Sequence, residues 1–253
     1  MNYVYLANGW VGYEVLRWLV ERGQPPVGLV LHPAGRSRYR TEMIHTAGVT
    51  PERIFDATTL RNAEVVERIQ ALSPALGLSV LFDYILKKDF LSLFPHGCLN
   101  LHPAFLPYNR GQYPNVWSIV EGTPSGVTLH YIDEGIDTGD IVAQRAVLVE
   151  PQDTGETLYR KLEQESVALF QKEWPRVCAG QASRTPQVRE GGTYHKTRDV
   201  ERIDKIDLNR AYVAGELLNI LRARTFPPYR GAYFVHQGRR IYLRLLLEDE
   251  TQT

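Results

Sequence analysis

Asn100 and His102 stand two residues apart in the stretch CLNLHPAFLPYNRG, and Asp137 follows in the acidic turn DEGIDTGD after a loop and a strand-like run. Side chains two apart on a strand point to the same side, so one amide and one imidazole would face a common space. A carboxylate joining them orients the imidazole and stabilises its protonated form. The imidazole then handles a proton while the amide donates to a developing oxyanion. That is equipment for direct acyl transfer. The same three residue types also serve as structural hydrogen-bonders in loops, and spacing does not choose between the two roles. Covalent catalysis has no carrier, because there is no Gly-x-Ser-x-Gly elbow and neither cysteine has a nucleophile's context. Cys98 and Cys178 lack CxxC or Cys/His spacing, so zinc and disulfides are not indicated, and both read as buried thiols. The acidic turn lacks the spacing of a calcium loop. No metal is expected.

The elements that must position these residues read as an α/β chain. Tyr3 to Ala7 is a short apolar run, Trp10 to Arg22 has helical spacing, and Val27 to Leu31 is a second apolar run after Pro25-Pro26. Strand, helix, strand opens a mostly parallel sheet. The turn ANGWVG is only a partial nucleotide loop: Ala7 replaces its first glycine, and His32 stands where an acidic ribose ligand belongs. Arg36, Arg38 and Arg40 suit either a phosphate or a solvated surface, in a segment that runs into a helix ending near Gly48. Val65, Val66, Ile69 and Leu72 mark a helix, Leu76 to Leu81 a buried strand, and Lys87 to Leu93 a short helix. Phe82-Asp83-Tyr84-Ile85-Leu86 is too apolar for a solvated loop and fits core or ligand wall, since ligands bind at the carboxyl edge of such sheets. Asn115 to Val120 reads as a helix and Val127 to Ile132 as a strand, in which His130 suits a structural or an active-site role. Ile141 to Val149 is a further strand, and Asp153-Thr-Gly-Glu156 has capping-box spacing before a helix that Pro175 ends or kinks.

Composition bounds the rest. The 253 residues carry 29 Lys and Arg against 29 Asp and Glu, a balance that offers no polyanion-coating surface. The longest apolar runs fall far short of a membrane span and Met1 leads straight into a strand. A cytoplasmic globular protein is expected, with no nucleic acid and no membrane as partner.

The motifs CLNLHPAFLPYNRG and GVTLHYIDEGIDTGDIVAQ, with the continuation Asn115 to Ser118, resemble the formyltransferases that use 10-formyltetrahydrofolate. The resemblance runs through most of Tyr3 to Gly180 and implies a Rossmann-like formyltransferase domain over residues 1–180. It also implies that Asn100, His102 and Asp137 are the catalytic triad. The co-substrate would be N10-formyltetrahydrofolate, flanked by Phe82, Asp83, Tyr84, Ile85 and Leu86 and by the turn containing Ile132, Asp133 and Gly135, largely through main-chain groups.

Beyond a polar stretch after Gly180, residues 181–253 read as a small appendage: the loop GGTYHKTRD, a helix over Leu208 to Arg224, and a hairpin of Ala232 to His236 with Arg240 to Leu247 turning at Gln237-Gly238. Together with YNRGQYPNVWSI and RTFPPYRGAYF, this tail is most similar to that of the nucleotide-sugar N-formyltransferases, which implies a nucleotide-linked amino sugar, dTDP-linked, as acceptor. The resemblance sets Tyr194, His195 and Lys196 near the acceptor, and Asn8, Trp10 and Arg110 are expected on the acceptor side as well. Trp10 equally suits a buried helix start, and the 194–196 segment a structural loop. The hairpin, apolar on both faces, is expected to pair with a second copy in a homodimer. A methionyl-tRNA formyltransferase-like enzyme and a formyltetrahydrofolate hydrolase are the alternatives.

Overall fold

A computed structural model describes residues 1–188, 190–248 and 250. It divides into two compact units, one of Met1–His102, Thr128–Gln144 and Glu163–Gln187, the other of Pro103–Val127, Arg145–Leu162 and Val188–Thr253.

The first unit is built on a seven-stranded sheet. In chain order it uses β1 (Tyr3–Ala7), α1 (Gly9–Glu21), β2 (Gly28–Leu31), α2 (Arg40–Ala47), β3 (Ile54–Asp56), α3 (Ala63–Gln70), β4 (Leu76–Val80), α4 (Lys88–Leu91) and β5 (Cys98–His102). The sheet is completed by β7 (Gly126–Tyr131) and β8 (Ile141–Ala146), in the order β3-β2-β1-β4-β5-β7-β8. Pairing is parallel from β3 to β5, and β7 is antiparallel to β5. Strands covered on both faces must be apolar throughout, and every residue of β1, β2 and β4 is buried. The strand order reverses between the parallel neighbours β1 and β4, the switch point whose carboxyl edge opens a ligand crevice in open α/β sheets. Asn8 caps α1 from its side chain, and Gly48 closes α2 in the left-handed conformation.

The helix α6 (Gly155–Cys178) contains Pro175 without ending there. A proline three residues before the end forfeits one intrahelical bond. The last turn still closes through Ala179 N to Pro175 O at 3.1 Å, and buried Trp174 and Val177 anchor it. Trp174 donates from Nε1 to Gln24 Oε1 at 2.7 Å and meets the Tyr3 ring edge-on. Cys98 is buried, and its burial pushes the thiol far above the usual range. Cys178, expected to be buried, is only half-buried, because it ends the last turn of α6.

The second unit holds β6 (Arg110–Gly111), α5 (Pro114–Glu121), β9 (Tyr194–His195), α7 (Glu201–Asp204), α8 (Ala214–Ala223), and the hairpin β10 (Tyr233–His236) and β11 (Arg239–Tyr242). The expected helix from Leu208 is shorter at its start. Asp207 there folds its own turn, its carboxylate accepting from Asn209 N at 3.0 Å and its carbonyl from Arg210 N at 3.1 Å. Such side-chain turns compete with helix. Gln237 and Gly238 both have positive φ, as a type I′ hairpin turn requires, but β11 stops at Tyr242 rather than Leu247. β8 likewise stops at Ala146, where Val147 N turns to Ser125 O.

Candidate active site

Register sets the site. Ser79 of β4 lies opposite Asn100 of β5, and Asn100 opposite His130 of β7, so three polar side chains form one row across the sheet. Ser79 Oγ donates to Asn100 Oδ1 at 2.9 Å, which turns the amide nitrogen towards His130 Nε2 at 3.1 Å. The opposite ring nitrogen, Nδ1, faces the Tyr131 carbonyl at 2.8 Å. A carbonyl only accepts, so Nδ1 carries the proton and Nε2 accepts from Asn100. The amide orientation is therefore fixed from both ends.

Asp137 faces this row. Its Oδ1 is 3.5 Å from Asn100 Nδ2 and 3.6 Å from His130 Nε2, and its Oδ2 is 3.6 Å from His102 Nε2. These separations are electrostatic contacts, longer than full hydrogen bonds. His102 and His130 meet edge to face, with ring centroids 6.2 Å apart. His102 is 8 % exposed and His130 1 %, so the cluster sits where little water screens it. Asp137 adopts a left-handed conformation, φ 52°, which aspartate tolerates better than most residues. Gln187 Nε2 holds the turn, donating to the carbonyls of Asp137 at 3.0 Å and Gly139 at 2.7 Å. No local pattern in the sequence marks Gln187 or Ser79; both act through register or through a distant turn.

The two loops expected beside a folate contribute side chains to one packing region. Phe82, Tyr84 and Ile132 pack against a core cluster that includes Leu86, Phe90 and Cys98, while Ile85 and Ile136 are exposed. Lys88 and Glu134 pair at 3.2 Å on the surface. Asp133 is committed to its own turn, accepting from Gly135 N at 2.9 Å and Thr138 Oγ1 at 2.6 Å. A Cβ at Gly135 would collide with Thr138 Oγ1. The turn thus presents main chain, with its carboxylate turned inward. Asp83 likewise faces His32 and Arg36.

Of the residues expected on the acceptor side, Asn8 and Trp10 belong to the first unit. Asn8 is engaged at both ends of its amide, and Trp10 is half-buried in the first turn of α1. Arg110, Tyr194 and Lys196 belong to the second unit, where β6 pairs with β9, Arg110 against Tyr194 and Gly111 against His195. Tyr194 and Lys196 are exposed. His195 is buried, stacked on Trp117 at 4.1 Å with its Nε2 3.3 Å from Glu121. Asn109, fully buried, ties Ser118, Thr123 and Thr193 together. Among the described residues no group of His, Cys, Asp and Glu is placed to hold a metal, and no helix is long and apolar enough to cross a membrane.

A family model described as formyl transferase matches residues 26–172. The chain belongs to the formyl transferase family. A second model, the N-formyltransferase dimerization C-terminal domain, matches residues 199–249. The dTDP-4-amino-4,6-dideoxyglucose formyltransferase of Mycobacterium tuberculosis is 35% identical over 193 residues, 75% of this chain and 78% of that protein. The methionyl-tRNA formyltransferase of Bacillus subtilis is 31% identical over 245 residues, 94% and 75% of the two chains. Among solved structures, a 4-N formyltransferase from Francisella tularensis superposes with a TM-score of 0.82 at 25% identity, covering 98% of both chains. The formyltransferase PseJ from Anoxybacillus kamchatkensis, solved with UDP-4,6-dideoxy-4-formamido-L-AltNAc and tetrahydrofolate, superposes at 0.61 with 29% identity over 80% of this chain and 89% of that one. Named relatives of this formyl transferase are N-formyltransferases, enzymes of one-carbon transfer.

Proposed function

We propose that this formyl transferase moves the formyl group of N10-formyltetrahydrofolate to the amino group of a nucleotide-linked amino sugar, dTDP-linked. The observation that carries the reading is the convergence of Asn100 and His102 on Asp137 at the carboxyl edge of a parallel sheet. The amino-sugar acceptor is supported by the Mycobacterium relative, named for a dTDP-linked amino sugar, and by PseJ, solved with a UDP-linked formamido sugar.

The unprotonated amine attacks the formyl carbon, and the carbonyl oxygen gains charge. Asn100 has one amide hydrogen held at His130 and the other only loosely at Asp137, 3.5 Å away; the loose one is the donor to the oxyanion. His102 supplies the second stabilising contact and exchanges the amine proton. Asp137 holds His102 in orientation, stabilises the imidazolium, and passes the proton towards the departing N10. The C–N10 bond breaks as the new amide forms, and the proton lost by the amine balances the one gained at N10. Phe82 to Leu86 and Ile132 to Ile136 are assigned to the folate. Residues 1–180 are taken as the catalytic domain and 181–253 as the acceptor-side and dimerisation region, with Arg110, Tyr194 and Lys196 towards the sugar nucleotide.

A mass-spectrometric assay with 10-formyltetrahydrofolate and a panel of dTDP- and UDP-linked amino sugars tests this. One formyl mass gain on a dTDP amino sugar is the expected result. Formylation of methionyl-tRNA instead, or formate release without any acceptor, contradicts it and selects one of the two alternatives.

A further inference from the structure

His32 follows the last residue of β2 and is 1 % exposed, yet it has no part in the Asn100, His102 and Asp137 cluster. Its protonation can be read from its neighbours. Asn8 Oδ1 accepts from Gly9 N at 3.0 Å and from Arg38 N at 2.8 Å, so the amide end of Asn8 faces His32 and donates to Nδ1 at 2.9 Å. An imidazole that accepts at Nδ1 keeps its proton at Nε2. That nitrogen stands 3.1 Å from Asp83 Oδ1, misaligned for a hydrogen bond but in charge–dipole contact. The Phe82 and Tyr84 rings lie 5.1 Å from the imidazole on either side of Asp83. Burial holds the His32 pKa below its ordinary value against the pull of Asp83, which keeps the ring in the neutral form that Asn8 requires. The other partner of Asp83, Arg36 at 3.2 Å, is well exposed, and surface ion pairs of that kind hold little. The fixed point for the loop is the buried imidazole.

We infer that Asn8, His32 and Asp83 form a brace that sets the conformation of the loop 82–86, which makes His32 a positioning residue for the folate co-substrate. The inference rests on the assignment of that loop to the folate. His32 touches neither the reacting atoms nor Asp137; it acts on the loop through Asp83 and by packing against the Phe82 and Tyr84 rings.

The test uses the full chain, with 5-formyltetrahydrofolate as a non-reacting probe in titration calorimetry and steady-state kinetics for both substrates. His32→Phe keeps the ring and removes both nitrogens. It is expected to raise the probe Kd and the folate KM about tenfold, with kcat at saturating folate within about twofold and the acceptor KM unmoved. Asp83→Ala acts in the same direction, and the double variant is no weaker than the weaker single one, because both changes cut one chain. His32→Gln, which keeps an amide N–H on the Asp83 side, recovers part of the affinity and stands in if His32→Phe does not fold. Additive effects, or an unchanged Kd with a lowered melting temperature, overturn the brace and leave His32 a core histidine. Tyr84→Ala separates the two claims. If it too leaves folate affinity unchanged, the loop assignment fails; if it weakens binding while the His32 variants do not, the brace alone fails.

Discussion

At the residue scale, the chemistry depends on one amide being held the right way round. Ser79 donates to Asn100 Oδ1 and the neutral His130 accepts from Asn100 Nδ2, so the row Ser79, Asn100, His130 aims the remaining amide hydrogen at the space beside Asp137. Ser79→Ala removes one end of that row. A lost hydrogen bond of about 1 kcal/mol is expected to lower kcat five- to tenfold, on the order that energy implies, with folate affinity unchanged; steady-state kinetics beside a folate titration checks both. The Asn-x-His pair could be read from the chain because strand spacing alone puts two such side chains on one face. Ser79 and His130 could not be assigned in the same way. Their role follows from which residues of β4 and β7 stand opposite Asn100, and register is a property of three strands far apart in sequence. Asp137 was recognised by family motif, since the same turn holds Asp133 and Asp140 at equally plausible spacing; the structure shows the Asp133 carboxylate spent on its own turn.

At the element scale, hydrophobic patterning located the first unit well, because strands buried on both faces are apolar along their whole length and the helices between them carry one apolar stripe. β1, α1, β2 and β4 fall within a residue of where those patterns put them. Ends were read less well, and each miss has a local cause. Asp207 folds a turn where helical spacing had begun, and Pro175 sits too near the end of α6 to stop it. The start of α6 is displaced by one residue from the Asp153 and Glu156 spacing: Thr157 N donates to Thr154 Oγ1 at 3.3 Å, and Thr154 N to Thr157 Oγ1 at 2.9 Å. Asp153 instead accepts from Lys161 Nζ at 2.8 Å and from Thr157 Oγ1 at 2.9 Å. Thr154→Ala should therefore cost about 1 kcal/mol of unfolding free energy, and Glu156→Ala only a few tenths. Denaturant melts of the two variants check the assignment, and the reverse order would restore the Asp153 box. Short pairings such as β6 with β9 left no pattern in the sequence, because two-residue strands carry no periodicity.

At the scale of the whole molecule, the catalytic residues and the folate loops belong to the first unit, and the C-terminal elements to the second. The second unit exposes Leu208, Val213, Leu218, Tyr229, Val235, Ile241 and Leu246, more large apolar side chains than so small a group of elements ordinarily leaves to water. A second copy of the chain covering part of that surface is the expectation, and sedimentation at micromolar concentration should find a dimer. A monomer alone would remove the C-terminal region's assigned role. The claim on which everything else depends is that Asn100, His102 and Asp137 carry out formyl transfer. The direct measurement is the rate of formylation of a dTDP-linked amino sugar by purified His102→Ala and Asp137→Asn variants, with folate binding followed in parallel. Rates at least about a hundredfold below the unaltered protein, with folate affinity preserved, are the predicted result; near-normal rates in either folded variant would contradict it.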